Sequence, residues 1–474
     1  MLGRLFDMFT GARRHAVAEV AALGPSGPDD AFTRLNQLAP LADPFADLPA
    51  NGAIDRPQPA TSDRPRPIVC REAVLGKDQR VAGYSFMLRN GVSSRVKVSG
   101  AGIQRAYDDV LLRNIDGMEI RRLLSHRLAF VKLSPGSLDL PLLEQLSGEG
   151  AVYVVGPNEP LCAEPGPALA SLARLKALGC RFGLYGTGAE HPALAPFLKQ
   201  AEFLFIDIAA HDIPAIKTQM ECAHQLAPAQ KFVATNIQTI DEYNVCARLP
   251  FVLFQGSFVT SREQWTSPRM DAGRIRIVEL LNRLRQDAEV AELSALIKQD
   301  PALSFKLLRY INSPGVGLLN KVGTLEQALF VLGRKTLYRW LTLLLYTSGQ
   351  TRELDQALLE NALARARLAE LLADRRLSVA QREELFVAGI FSLMDVVLRI
   401  PMEEVLKQVS LPELVKEALL NRQGKYAPYL QLAIACEQTD EQNLSDLAAT
   451  IGLHEQQVNN LHIEALSWAQ QVNA

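Results

Sequence analysis

The sequence predicts two folded parts in series: a parallel α/β domain, better suited to a closed barrel than to a doubly wound sheet, and then an all-α domain. Three observations carry this reading. Between residues 68 and 262 short apolar runs alternate with stretches of helical periodicity, the pattern of repeated βα units around a parallel sheet. From 268 to 474 apolar residues recur at helical spacing and no strand-like run interrupts them. The chain is 474 residues long with 48% hydrophobic residues, enough for roughly two to four domains with real cores. Strand spacing alone is compatible with either sheet geometry.

Taken in order, residues 1–23 place Leu2, Leu5, Phe6 and Phe9 on one helical face beside Arg4, Arg13 and Arg14. That pattern would suit a short amphipathic docking helix for a partner or a membrane surface; a frayed terminus is the plainer reading. Residues 24–67 hold nine prolines among Gly, Asp and Ala, which predicts a disordered linker. Val69 opens the first domain, and Gly76-Lys77-Asp78 reads as a hairpin turn into 80–88. Candidate buried strands follow at 128–133, 151–155, 181–185, 203–208, 232–234 and 251–254, with helices such as 168–178 and 210–226 between them. In the second part Ile275, Val278, Leu281 and Leu284, then Leu293, Leu296 and Ile297, mark helical faces, and Pro301, Pro314, Pro401 and Pro412 punctuate helices.

A formal net charge of −2 and a pI near 6.4 give the whole chain no electrostatic case for nucleic acid or an acidic membrane. Cys70, Cys162, Cys180, Cys222, Cys246 and Cys436 lie far apart without a C-x-x-C pair, and read as buried thiols in a reducing compartment. The longest apolar run, 341–346, is far too short to span a bilayer. The expectation is a soluble cytoplasmic protein without a transmembrane segment.

Barrel chemistry sits at the C-terminal ends of strands. Those ends offer Lys132 and Ser134, Gly156 and Pro157, Tyr185, Asp207 followed by His211 and Asp212, Thr235 and Asn236, and Gln255 and Gly256. Asp207 is the one strand-end carboxylate, whereas hard divalent metals want several oxygen ligands. No His-x-x-x-His pair occurs. Ser134 beside Lys132 is the one local nucleophile and base, and no G-x-S-x-G elbow exists.

The motifs AGYSFMLR at 82–89, FVKLS at 130–134, GLYGTG at 183–188, LFID at 204–207 and ATNIQT at 234–239 resemble those of the EAL domain, a barrel whose active members hydrolyse cyclic di-GMP with two metal ions. Residues 82–89, AGYSFMLR, stand where that family writes G-x-E-A-L-L-R; 130–134, FVKLS, at its I-N-L-S strand; 183–188, GLYGTG, at D-D-F-G-T-G; 204–207, LFID, at L-K-I-D; and 234–239, ATNIQT, at A-E-G-V-E-T. Carried over by position, the signature glutamate is Ser85, the asparagine ligand Lys132, and the paired aspartates Gly183 and Leu184. The water-assisting lysine is Phe205, and the later glutamates are Thr235 and Gln238; a further glutamate expected near Val154 or Val155 is absent. Asp207 and the phosphate-contacting Arg89 alone remain, as vestigial contacts for the dinucleotide. The resemblance therefore implies a degenerate barrel with no metal, no cofactor and no hydrolysis. Outside that role Arg89 would serve in a structural ion pair, and Asp207 as a helix N-cap or in a hydrogen bond to its turn.

In the second part, 299–313, 324–334, 389–395 and 400–406 together resemble the HDOD domain, a helical relative of the HD phosphohydrolases. The resemblance rests on 299–313 (QDPALSFKLLRYINS), on 324–334, and on 389–395 with 400–406. HD enzymes bind metal through a His-Asp pair with further histidines, and this chain has no histidine between 268 and 453. Asp395 then reads as a packing or capping residue. Residues 447–453 with Val458 and Leu461 copy helix-turn-helix spacing, and Gln456, Gln457, Asn459 and Asn460 could read bases. Yet 426–474 contains no Lys or Arg and six acids, which would repel phosphate; a helical hairpin packed on the domain is the reading. Arg365, Arg367, Arg375 and Arg376 interleave with Glu360, Glu370 and Asp374 as a solvated, salt-bridged face.

The domains expected are a short amphipathic helix or frayed terminus at 1–23, a linker at 24–67, a degenerate EAL barrel at 68–262 and an HDOD domain at 268–474. The function expected is non-catalytic bacterial signalling through unidentified protein partners, with a homo-oligomer left open. One alternative is a cyclic di-GMP receptor that binds without cleaving; the other is a DNA-binding regulator, which the acidic C-terminal segment opposes.

Overall fold

Val69–Gly76 (β1) and Val81–Leu88 (β2) pair antiparallel across the turn at Lys77 and Asp78. Leu128–Leu133 (β3), Ala151–Val155 (β4), Arg181–Tyr185 (β5), Phe203–Asp207 (β6), Lys231–Thr235 (β7) and Phe251–Gln255 (β8) then run parallel to β2 and to one another. β8 closes on β1 to give an eight-stranded barrel. The choice between barrel and open sheet falls to the barrel. This computed structural model describes residues 68–88, 101–117, 127–146, 150–156, 165–185, 195–262, 270–312, 321–348, 354–437 and 444–473. The docking helix and linker expected at 1–67, together with Arg89, Cys162, Gly186-Thr187-Gly188 and Pro314, lie outside the described residues.

Alternation along the strands divides two cores. Val74, Phe130, Val152, Val154, Phe203, Phe205, Val233 and Leu253 point inward and fill the barrel as a separate cluster. Their neighbours point outward, against Ala101–Gly117 (α1), Leu142–Gln145 (α2), Pro165–Ala177 (α3), Ala195–Gln200 (α4), Ile213–Leu226 (α5) and Ile240–Cys246 (α6). Local signals set the helix starts. Asp212 accepts from the amide of Ala215 at 2.9 Å, and Thr239 with Glu242 forms a capping box.

Among the described residues after Ser261 there are helices and no strands. Ala272–Arg285 (α7), Val290–Lys298 (α8), Pro301–Ile311 (α9) and Leu325–Thr347 (α10) are followed by Leu354–Leu372 (α11), Val379–Phe391 (α12) and Met394–Leu398 (α13). Met402–Gln408 (α14), Glu413–Leu420 (α15), Ala427–Ala435 (α16), Leu444–Thr450 (α17) and Glu455–Asn473 (α18) complete the domain. α11 is its axis, with eleven of its residues in the hydrophobic core. α12 crosses it closely because Gly389 has no side chain; a Cβ there would stand 2.3 Å from the Ala366 Cα. No single described helix is long and apolar enough to cross a membrane.

The β1–β2 hairpin is too short to carry a covering helix of its own. The outer wall of the barrel at this point is covered by α11 and α18 of the helical domain, through Tyr84 to Glu360 and Arg71 to His462. Arg71 also lies over the Tyr84 ring at 5.0 Å.

Candidate functional site at the barrel mouth

One step along each strand from the inner core, toward the C-terminal ends of the parallel strands, the inward positions are Glu72, Lys132, Tyr185, Asp207, Thr235 and Gln255. Ser85 joins them, because register sets it opposite Glu72 on one side and Phe130 on the other. The barrel thus brings together, at one mouth, residues separated by up to 183 positions in sequence.

These side chains bond mainly to one another. The Lys132 ammonium sits 3.6 Å from the centre of the Tyr185 ring, a cation–π contact. Tyr185 stacks on Phe205 at 6.3 Å, and Phe205 meets Phe130 edge-on at 5.5 Å. Asp207 accepts from the Asn236 side-chain amide at 2.6 Å and from the Ala209 backbone amide at 3.0 Å. Its second bond is the one to the turn; the N-cap of the following helix is Asp212. Glu72 accepts from Gln255 at 2.6 Å, and burial pushes its carboxyl above the usual range. Burial raises the Tyr185 phenol as well, opposed by its hydrogen bond with Thr235.

The expected pairing of Ser134 with Lys132 does not form. The Ser134 hydroxyl donates to Asp108 at 2.6 Å, which fixes the turn after β3. Glu72 is a mouth carboxylate that the strand-end survey missed. It lies in the antiparallel strand, where the barrel's C-terminal face meets the start of the strand; the signal was a charged Arg71-Glu72 pair in an apolar run.

The donor set does not fit two hard metal ions. At the inward positions stand an amine, two hydroxyls, a phenol and an amide, with Glu72 and Asp207 each held by a neutral amide. At Gly183 a Cβ would lie 2.7 Å from Phe205 Cε2 and 3.4 Å from Val154 Cγ2. The space a carboxylate would need is filled by an aromatic ring. No group of three or more His, Cys, Asp or Glu side chains able to hold a metal occurs among the described residues.

Residues 268–411 match the model of the HDOD domain. The chain is 26% identical over 411 residues to the uncharacterized protein YuxH of Bacillus subtilis, covering 85% of this chain and 98% of that one. It is 24% identical over 419 residues to the cyclic di-GMP phosphodiesterase CdgJ of Vibrio cholerae, covering 88% and 96%. A crystal structure of an EAL domain protein from Listeria monocytogenes is 13% identical with a TM-score of 0.32, over 41% of this chain and 87% of that one. The chain thus carries an HDOD match over 268–411 behind an eight-stranded barrel.

The barrel and the helical domain meet in a buried polar junction. Glu360 of α11 is 1% exposed and accepts from Tyr84 of β2 and from both terminal nitrogens of Arg127, the second at 2.9 Å. Arg365, placed by sequence on a solvated face, is buried instead. Its guanidinium donates to Glu437 at 2.6 Å and to Ser392 at 2.8 Å. Asp395 accepts from Arg262 at 2.6 Å, which ties the HDOD motif to the last turn of the barrel. The helix-turn-helix spacing does build a turn, with Gly452 at φ +68° between α17 and α18. Asn459, however, is buried and accepts from the Val69 amide at 2.9 Å, so it faces the barrel and not solvent.

His462 gives the junction a pH dependence. Burial, and then the neighbouring Arg71 cation, lower its pKa to about 3, and it accepts from Arg71 Nε at 3.1 Å. The folded pKa lies below the unfolded one, so the stabilisation is complete above about pH 6.5 and is lost as pH falls from there toward 3. Between those values stability is expected to fall by up to about 1.4 kcal/mol per pH unit from this group. Urea titrations across pH 4–7 should show the slope, and His462→Gln should remove it.

Proposed function

We propose that the protein is a non-catalytic signalling adaptor, in which a barrel descended from a cyclic di-GMP phosphodiesterase fold serves as a rigid platform joined to an HDOD domain. The observation that carries this is the complementary pair Gly183 and Phe205: the ring occupies the space of the missing carboxylate. Lys132 on Tyr185 and Asn236 on Asp207 add to it, since each spends a polar group on a neighbour inside the mouth. In-line attack on a phosphodiester depends on a metal clamp, and no ligand set for one is present at the inward positions. The name of CdgJ places one similar protein in cyclic di-GMP chemistry; this chain is read as acting in the same kind of signalling through protein contacts.

The test is incubation of the purified chain with cyclic di-GMP and magnesium or manganese, followed by chromatography, together with calorimetric titration of the same ligand. No linear dinucleotide is expected above the buffer blank. Turnover abolished by Asp207→Asn would overturn the reading. Binding without turnover would convert the platform into a ligand-controlled one.

A further inference from the structure

The outer face of the helical domain carries an apolar patch. α10 begins by burying Leu325, Ala328, Leu329 and Leu332, one stripe at helical spacing. The other side of that first stretch holds Phe330 and Val331, where a surface helix ordinarily carries polar residues. Phe330 is 81% exposed and Val331 46%. The helix then breaks at Gly333, with φ +69° and ψ 167°.

Polar contacts on either side fix what stands beside these two side chains. Four residues before Phe330, Glu326 accepts from Lys298 at 2.6 Å and from Ser294 at 2.7 Å. Four residues after it, Arg334 donates to the Ala288 carbonyl at 2.6 Å and to the Leu284 carbonyl at 3.1 Å. The start of α10 therefore runs antiparallel to α8, and Phe330 falls beside the first turn of α8, where Val290 and Ala291 are exposed. Lys335 meets Glu383 at 3.3 Å. That pair ties the far edge of the patch to the first turn of α12, which exposes Val379. Contiguous apolar surface of this kind marks an interaction site.

We propose that this patch is the docking site of the chain's own first residues, 2–9. Leu2, Leu5, Phe6 and Phe9 stand at i, i+3, i+4 and i+7, the spacing by which an amphipathic segment lays apolar anchors onto a face built from helices. Two observations favour this occupant. The barrel closes from β1 to β8 without the segment, so its apolar stripe has no place in that core. The segment also has the reach. Residues 10–67 join it to β1, and a chain of that length spans on the order of 40 Å, about the width of a domain of this size. The tether starts against the helical domain: the Val69 amide donates to Asn459 of α18 at 2.9 Å, and the Arg71 amide to the Cys436 carbonyl at 3.1 Å. Such a tether sets an effective concentration on the order of millimolar. A contact too weak to retain a free peptide is then still occupied.

The experiment places a photo-cross-linking residue on the patch of the full chain. Phe330→p-benzoylphenylalanine keeps an aromatic ring at an exposed position, so the fold should be unaffected. Irradiation and peptide mapping are expected to join position 330 to residues 1–14 at the mass of a single chain, with a yield independent of protein concentration. Adding Leu5→Ser and Phe6→Ser should lower that yield by at least about fivefold, since two apolar anchors are lost. Ile103→p-benzoylphenylalanine, on an exposed position of α1 on the barrel, should not capture the segment. A product at twice the chain mass would assign the patch to a second copy and overturn the proposal. So would capture of another part of the same chain, the absence of any cross-link, or a yield that the two serine substitutions leave unchanged. Hydrogen exchange gives an independent reading. Deleting residues 2–9 should speed exchange over 288–294 and 325–332 by at least about threefold, and unchanged exchange would count equally against the docking. Neither readout involves the barrel mouth, so the outcome stands apart from the adaptor reading.

Discussion

Glu360→Ala is expected to destabilise the folded chain by about 3–5 kcal/mol, the range for removing one partner of a buried ion pair. Glu360 is 1% exposed, and its carboxylate is the common acceptor for Tyr84 and Arg127. Its removal leaves a guanidinium and a phenol in a junction with little water to replace it. Burial and the Glu360 charge also push the Tyr84 phenol above its ordinary range, so that hydroxyl remains a donor at every pH of interest. Urea unfolding followed by both fluorescence and circular dichroism measures the loss. In the parent the two probes should coincide, and in Glu360→Ala they should separate as the two domains unfold apart. An unchanged single transition in the variant would show that α11 does not depend on the barrel.

The second large effect is expected from Gly183→Asp, the substitution that writes an aspartate back into the motif. It should not create a metal site. The new Cβ would meet the Phe205 ring at 2.7 Å, and overpacking of this kind costs about 1–3 kcal/mol. The carboxylate itself would enter a cluster of valines and phenylalanines, an added penalty for a buried charge. Melting temperature should drop, and magnesium or manganese should not restore it. Adding Phe205→Ala should recover part of the loss by opening space. A Gly183→Asp variant that is as stable as the parent and is stabilised by metal would mean that the ring yields easily, and the reading of the mouth as a repacked core would fall.

The barrel was legible because alternation and strand length are local properties. Arg181–Tyr185 is short, apolar and bounded by polar positions, and it forms the strand expected of it. The departures from the metal-binding pattern were legible because each motif position holds a single residue type. What fills the vacated space was not, since Gly183 and Phe205 touch only once β5 and β6 are paired in register. Arg365 was misread for a related reason. Its charge and its acidic neighbours look like a solvated face, but its partner Glu437 lies 72 positions away. The packed hairpin read at 447–461 is what forms, but helix-turn-helix spacing says nothing about which face of α18 meets the barrel; the partner of Asn459, Val69, is 390 positions distant. Glu72 escaped because β1 runs opposite to its neighbours, so the mouth lies at its beginning.

The bridging of β1 by Asn459 and the Cys436 carbonyl bears on how the chain is made. β1 leaves the ribosome well before α18. During synthesis the free edge of β1, with the Val69 and Arg71 amides exposed, waits for partners that lie 390 and 365 positions downstream. An unpaired strand edge is a template for pairing with another chain, and long-range closure is slow. A nascent barrel of this design therefore stays open on one side until the helical domain has been made.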